Sequence, residues 1–353
     1  MRALKGTAPD DSGRTAEDVT DFPIRLERLC ASINTEAQLN PIGRSFAYGQ
    51  MVRAIRQRHD LGRLWRNRPE MLETKLAPPI IVIGQMRAGT TRVHRLLAAD
   101  PQHSATRFSD SWHPVPQSPD LRPLWSAAAL FLARRLNPWI DTIHPFGAAR
   151  PDEELGWLAS ALDHSTYEAQ WHIPRYTAFS EARDPAPVYR ELARILRTDA
   201  AHHGCADLPR VMKVPQFSED LATLLAEFPG ARIVLAERDI ASAVKSSVSL
   251  VANQMAMQSD KADLASIQQE WTRKVALRGE RTEAVLAAFK GPVARVTFDA
   301  LEDDWISAIS TVYEVLGLRL YPASLDAMKI EQARAEKGAH NQHLSELNQI
   351  ERG

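Results

Sequence analysis

The pattern of apolar and polar positions divides the chain into a helical first part and a mixed second part. From Phe22 to Glu73, apolar residues recur every three or four positions, as in "IRLERLCASI" and "YGQMVRAIRQRHDLGRLW", which is the helical period. Four short runs rich in β-branched residues follow, and a helical pattern comes after each of them: 80–83, 210–214, 232–236 and 293–298. Strand runs that alternate with helices predict an α/β fold.

The strand runs are apolar throughout, which is typical of strands that helices cover on both faces. We therefore expect a three-layer parallel sheet, similar to a P-loop fold. Residues 1–18 are polar and are predicted to be disordered. Residues 19–76 are predicted to form a helical extension, and residues 77–353 the main domain. Within that domain, residues 100–209 form a helical insert in which we expect the substrate pocket.

Composition and charge exclude several classes of protein. The 353 residues include 43 basic and 44 acidic ones, so no overall field attracts nucleic acid or an anionic membrane. The two cysteines cannot form a disulfide framework, which favours a cytoplasmic setting. The most apolar stretch, residues 124–136, is shorter than the ~20 residues of a membrane-spanning helix and predicts a buried or amphipathic helix. His202 and His203 lack ligand partners at a useful spacing, so no metal is expected.

The segment "GQMRAGTT", residues 84–91, lies between the first strand run and a helix. Its two glycines allow a tight turn, and the N–H groups from Arg87 to Thr91 can converge on an anion at the start of the helix. A structural strand-to-helix turn is the alternative, but the order of strand, loop and helix favours phosphate binding. Thr90 occupies the position of the lysine in loops that bind nucleotide triphosphates.

Two further cations are predicted at the same edge of the sheet. Arg238 follows the third strand run, where α/β proteins bind ligands, and Ser246 lies two turns into a helix that Asp239 can cap. Arg238 and Ser246 can hold a second phosphate, or Arg238 can simply pair with a neighbouring acid. Lys213 ends the second strand run and is well placed to stabilise a leaving group. A lysine that extends from an edge strand into solvent is the alternative.

Together these stretches resemble the sulfotransferases that use 3′-phosphoadenosine 5′-phosphosulfate (PAPS), especially the bacterial branch related to the protein-tyrosine and carbohydrate enzymes. That family has a G-x-P-R-S-G-T-T loop for the 5′-phosphosulfate, and an arginine followed eight residues later by a serine for the 3′-phosphate. A basic-glycine segment closes over the 3′-phosphate. The resemblance implies these cofactor-binding residues here: Arg87, Ala88, Gly89, Thr90, Thr91, Arg238, Ser246, Lys337 and Gly338.

The resemblance also explains the missing lysine and implies a mechanism. PAPS lacks the β,γ-phosphates that a P-loop lysine and Mg²⁺ contact. We expect in-line transfer of a sulfuryl group to a hydroxyl or amine of a small-molecule or carbohydrate acceptor, with no metal. Arg87 and Lys213 are the predicted catalytic cations. Relatives use a glutamate or a histidine as the base, and two candidates remain open here: Asp110, which needs a pKa raised by burial, and His113.

Other features limit this interpretation. Glu153 and Glu154 are predicted only as possible acceptor contacts, since acidic residues are also common in the first turn of a helix. Met86, Ala88 and Phe217 replace a proline, a serine and a histidine of the family pattern. Two rivals remain: a P-loop kinase-like enzyme that binds Mg²⁺ and ATP, and a decayed nucleotide-binding relative without catalytic activity.

Overall fold

The computed structural model describes residues 9–86, 88–136 and 146–335. Five parallel strands form one sheet in the order β2-β3-β1-β4-β5. The predicted α/β class and the parallel sheet are confirmed. The short strand β2 was not predicted, because two residues carry no readable pattern. The strands are β1 (Ile80–Gly84), β2 (Ser104–Ala105), β3 (Arg210–Lys213), β4 (Arg232–Glu237) and β5 (Val293–Thr297).

Helices connect the strands and cover the sheet. Three short 3-10 turns lie at Pro69–Glu73, His164–Thr166 and Pro215–Ser218. Residues 322–335 are also helical. The other described helices are α1 (Ala16–Thr35), α2 (Pro41–Asn67), α3 (Thr90–Ala99), α4 (Phe108–Trp112), α5 (Arg122–Leu136), α6 (Leu155–Ser160), α7 (Pro174–Glu181), α8 (Ala186–His203), α9 (Leu221–Glu227), α10 (Ile240–Gln258), α11 (Leu264–Ala288) and α12 (Phe298–Val315).

Two hydrophobic cores lie on opposite faces of the sheet. Ile81 and Ile83 of β1 pack in a cluster with α8, whereas Ile80 and Val82 pack with α3 and α12. All four side chains are fully buried. Neighbouring residues of a strand point to opposite faces, so a strand that is apolar throughout serves both cores. This packing gives the predicted three layers.

The N-terminal helices pack onto the insert. Leu29 of α1 and Met51 of α2 share a buried cluster with Trp171. The described residues 9–18 also differ from the predicted disorder. Arg14 binds the buried carboxylate of Glu191 on α8, with its Nε 3.0 Å from Oε2. This ion pair between segments far apart in the chain cannot be read from local composition, which alone suggested disorder.

The apolar segment that was predicted to be a buried or amphipathic helix forms α5, and much of it is exposed. Leu124, Trp125, Phe131 and Leu132 all lie on the surface. Within residues 9–86, 88–136 and 146–335, no helix has the length and apolar character needed to cross a membrane.

Gly84 ends β1 where the next strand leaves no room for a side chain. Its φ is 142°, and a Cβ built there would lie 2.2 Å from the carbonyl oxygen of Ala236 on β4. Both the backbone conformation and the close approach therefore require glycine. The start of the loop is fixed by its packing against the sheet.

We expect Gly84→Ala to lower the free energy of unfolding by at least ~2 kcal/mol, because the backbone of β1 must move away from β4. Urea denaturation measures this change. Gly49→Ala is the matched control on α2, where a Cβ meets nothing within 4 Å. It should leave stability unchanged or raise it by up to ~1 kcal/mol. Equal stability of the two variants would show that Gly84 is not needed for the packing of β1.

Candidate functional site

The loop after β1 leads directly into α3 with an open helix N-terminus. Gly89 is the N-cap residue at φ 87°, and it offers no side chain to accept the first N–H groups of the helix. Such groups, together with the helix dipole, favour an anion. The amide of Ala88 donates within the loop to the carbonyl of Gln85 at 3.1 Å, and the Ala88 methyl group is buried. Arg87 lies outside the described residues.

Lys213 reaches the first turn of α3 from the end of β3. Its Nζ donates to Thr91 Oγ1 at 3.1 Å and forms an ion pair with Glu153. The Lys213 side chain is only 1% exposed, so it does not extend into solvent as an edge-strand lysine would. The pairing of β3 with β1 brings the two strand ends together. Lys213 therefore lies beside the loop, and its catalytic role stays a prediction.

The acidic pair after Pro151 lies beside Lys213, with its two members in different environments. The Glu154 carboxylate is fully buried and accepts the backbone N–H of Lys213 at 2.9 Å. Burial raises the pKa of Glu154 to about 7, although this hydrogen bond and the charge of Arg210 oppose the rise. The Glu153 side chain is 18% exposed. Glu154 therefore holds the segment against β3, while Glu153 pairs with Lys213 and remains partly exposed.

We expect Glu154→Gln to change how stability depends on pH. The pKa of Glu154 is about 7 in the folded protein and 4.5 for an ordinary glutamate. The folded state therefore binds this proton more tightly than the unfolded state does. The proton stabilises the folded state fully below pH 4.5, and the stabilisation is lost as the pH rises through 7. Glutamine keeps the acceptor without the charge. The difference in free energy of unfolding between the variant and wild type should shift in favour of the variant by on the order of 3 kcal/mol from pH 4 to pH 8. Urea unfolding at both pH values measures the gain, and an unchanged difference would contradict it.

Arg238 contacts Phe298, an aromatic residue that also lies beside the loop. Its guanidinium stacks 4.2 Å from the ring centroid of Phe298, and a Cβ on Gly89 would lie 3.4 Å from the same ring. The predicted N-cap is confirmed, since the Asp239 side chain accepts the N–H of Ser242 at 2.8 Å and α10 begins at the next residue. Ser246 is half-buried two turns along α10. Lys337 and Gly338 lie outside the described residues.

Asp110 lies in an ion cluster and does not have the environment that was expected of a base. Its carboxylate binds Arg107 at 2.5 and 2.9 Å, and it lies 3.2 Å from Arg122 Nη2 and 3.4 Å from His203 Nε2. Burial alone would raise its pKa, but hydrogen bonds from His203 and Arg107 and the charge of Arg122 outweigh burial. The pKa of Asp110 is therefore far below its usual value, not raised as the base hypothesis requires.

We expect Asp110→Asn to lower the free energy of unfolding by about 2 kcal/mol, because it removes the buried carboxylate that Arg107, Arg122 and His203 share. The pKa of His203, which Asp110 helps raise to about 9, should fall toward its ordinary value. Urea denaturation and NMR titration measure the two effects. Asp326→Asn, in an exposed pair with Lys329, is the control and should change stability by less than ~1 kcal/mol. An unchanged stability of Asp110→Asn would contradict this structural role.

His113 directly follows α4 and is half-buried. Burial and the nearby charges of Arg53 and Arg122 lower its pKa. In the described part of the chain, its carbonyl accepts a hydrogen bond from Arg122 at 3.1 Å, and no hydrogen bond joins its ring to the loop. Phe217, at the family's histidine position, is buried and lies 6.2 Å from the ring of Tyr189.

Among residues 9–86, 88–136 and 146–335, three groups of His, Asp and Glu have possible ligand atoms within 4.8 Å of one another. Two of them include His203, which lies 3.4 Å from Asp110 and 3.5 Å from Asp199, although no such partners were expected from sequence spacing. Arginine and lysine already pair with carboxylates in these groups. The groups are Asp120, His202 and His203; Asp110, Asp199 and His203; and His164, Glu168 and Glu219.

A buried charged cluster was missed from the sequence. Lys274 of α11 is fully buried, with its Nζ 2.7–2.8 Å from carboxylate oxygens of Glu168, Glu181 and Glu219. The cluster joins residues from Glu168 to Lys274, which are far apart in the sequence, so no local motif marks them. Beside the cluster, the insert and α11 line a cleft of about 370 Å³.

A glycine-containing loop that opens a helix at the carboxyl edge of an all-parallel sheet defines a P-loop-like α/β protein. More specifically, the chain belongs to the sulfotransferase family, whose sequence model matches residues 78–322. It is similar to sulfotransferase STF1 of Mycobacterium tuberculosis, with 26% identity, a TM-score of 0.84, and 93% of this chain and 90% of that chain covered.

A second solved structure, sulfotransferase STF9 of Mycobacterium avium, shares the fold. It is 20% identical with a TM-score of 0.78, and the match covers 93% of this chain and 90% of that chain. A search of curated protein sequences finds no match.

Proposed function

We propose that the protein transfers a sulfuryl group from PAPS to a hydroxyl or amine of a small-molecule or carbohydrate acceptor. The contact between Lys213 and Thr91 is the observation that carries this proposal. It places a buried ammonium group against the first turn of α3, where the helix end favours an anion. Such an arrangement suits sulfuryl transfer, since negative charge develops on the departing phosphate.

The proposed donor site extends from the loop to Arg238. The N–H groups of Gly89, Thr90 and Thr91 bind the 5′-phosphosulfate, with the charges of Arg87 and Lys213 beside it. Arg238 and Ser246 bind the 3′-phosphate. The stacking of Arg238 on Phe298, which also lies beside Gly89, supports a fixed spacing between the two phosphate sites. Ala88, Lys337 and Gly338 complete the proposed donor-binding set.

The proposed site for the apolar part of the acceptor is the cleft between the insert and α11. Its lining includes Trp171 and Pro174 from the insert and Trp271 from α11. Met86 of the loop packs against the same apolar cluster as Trp271, which connects the cleft to the donor site.

Both described cysteines are free thiols, which supports a cytoplasmic location.

The test is calorimetry with adenosine 3′,5′-bisphosphate, PAPS and Mg²⁺-ATP. Wild type should bind the first two, and Arg238→Ala should weaken binding of adenosine 3′,5′-bisphosphate by 10- to 100-fold, because one charge-assisted phosphate contact is lost. Arg319→Ala, on the surface beside Tyr321, is the matched control and should bind like wild type. Binding of Mg²⁺-ATP alone would overturn the proposal in favour of a kinase-like enzyme.

A further inference from the structure

We propose that Glu153 is the general base that takes the proton of the acceptor, a role that rests on the proposed sulfuryl transfer. Its carboxylate pairs with the Lys213 ammonium, which in turn donates to Thr91 Oγ1 at 3.1 Å. Lys213 therefore contacts both the Glu153 carboxylate and the Thr91 hydroxyl, and it lies between them. They come from three separate parts of the chain that meet at the carboxyl edge of the sheet.

Glu153 has the access to solvent that a base needs. Its side chain is 18% exposed, whereas that of Lys213 is 1% exposed and Glu154 is fully buried. The Oε1 atom of Glu153 accepts the hydrogen bond from Lys213. An acceptor that approaches the loop from solvent can therefore reach the Glu153 carboxylate, while the buried ammonium remains on the loop side.

The backbone around Glu153 is held from both sides. Its carbonyl accepts a hydrogen bond from Ser111 Oγ at 2.6 Å, and its N–H donates to Asp152 Oδ1 at 2.8 Å. The neighbouring Glu154 carboxylate accepts the backbone N–H of Lys213 at 2.9 Å. A base must lie within hydrogen-bond reach of the proton it takes, and this scaffold fixes the Glu153 backbone before any substrate binds.

The other acidic and basic candidates are less suitable. Both oxygens of Asp110 contact cationic side chains, so its carboxylate is already neutralised. Phe217, in the position of the family's histidine, has no titratable group. In the described ranges, no hydrogen bond joins the His113 ring to the loop. Glu153 differs from all three, because it combines exposure with a direct ionic link to the loop through Lys213.

The proposed step is balanced as follows. The Glu153 carboxylate accepts the acceptor O–H proton as the acceptor oxygen forms its bond to sulfur. The bond from sulfur to the 5′-phosphate oxygen breaks, and its electron pair remains on that oxygen. Once protonated, Glu153 no longer neutralises Lys213, so the ammonium is free to stabilise the departing phosphate. Proton transfer and leaving-group stabilisation are thereby coupled through one ion pair.

The test compares Glu153→Gln and Glu153→Ala with wild type, using ³⁵S-labelled PAPS and the acceptors 2-naphthol, octan-1-ol and glucose. With the acceptor that wild type sulfates fastest, Glu153→Gln should lower kcat at least 100-fold. Its Kd for adenosine 3′,5′-bisphosphate should remain within threefold of wild type. Added formate should restore part of the activity of Glu153→Ala, because it replaces the missing carboxylate. Glu70→Gln, on an exposed 3-10 turn, is the control and should behave like wild type.

Each contrary result has a distinct meaning. A kcat of Glu153→Gln within threefold of wild type overturns the base role while leaving the proposed function intact. Loss of activity that formate does not restore, accompanied by loss of nucleotide binding, also overturns it, because Glu153 then only holds Lys213 in place. If wild type neither binds adenosine 3′,5′-bisphosphate nor sulfates any of the three acceptors, the proposed function itself fails.

Discussion

A single buried ammonium group, that of Lys213, joins the parts of this protein on which the proposed chemistry depends. A lysine side chain that is 1% exposed requires anionic or polar partners, and Lys213 has Thr91 on one side and Glu153 on the other. Removing a charge from water is expensive, so these partners must be held in place. The sheet supplies that support, since β3 lies beside β1 and the acidic segment binds the backbone of Lys213.

The loop differs from one that binds nucleotide triphosphates in where a lysine is placed. Thr90 stands where a triphosphate loop has its lysine, and Lys213 reaches the first turn of α3 from β3 instead. Ala88 lacks the serine hydroxyl of the family pattern and has a structural role instead. Its methyl group is buried in the core, and its amide donates to the carbonyl of Gln85 and closes the turn. The Thr91 hydroxyl is the one that contacts Lys213.

The sequence predicted the features that depend on local pattern. Uninterrupted apolar runs such as 80–83 identified strands covered on both faces, and their order along the chain indicated one shared carboxyl edge for Lys213 and the loop. The roles of the acidic residues could not be predicted in this way. Asp110 matched a family position, but its environment is set by Arg107 and Arg122 together with His203, which is distant from it in sequence. The sequence suggested that Glu153 lies in the first turn of a helix, but the helix begins at Leu155 and Glu153 pairs with Lys213.

A crystal structure with adenosine 3′,5′-bisphosphate is the most direct test of the central claim. The account predicts the 5′-phosphate at the N-terminus of α3, within hydrogen-bond distance of Lys213 Nζ, and the 3′-phosphate against Arg238. A nucleotide bound away from the loop, or bound there with Lys213 still directed only at Glu153 and Thr91, would contradict it.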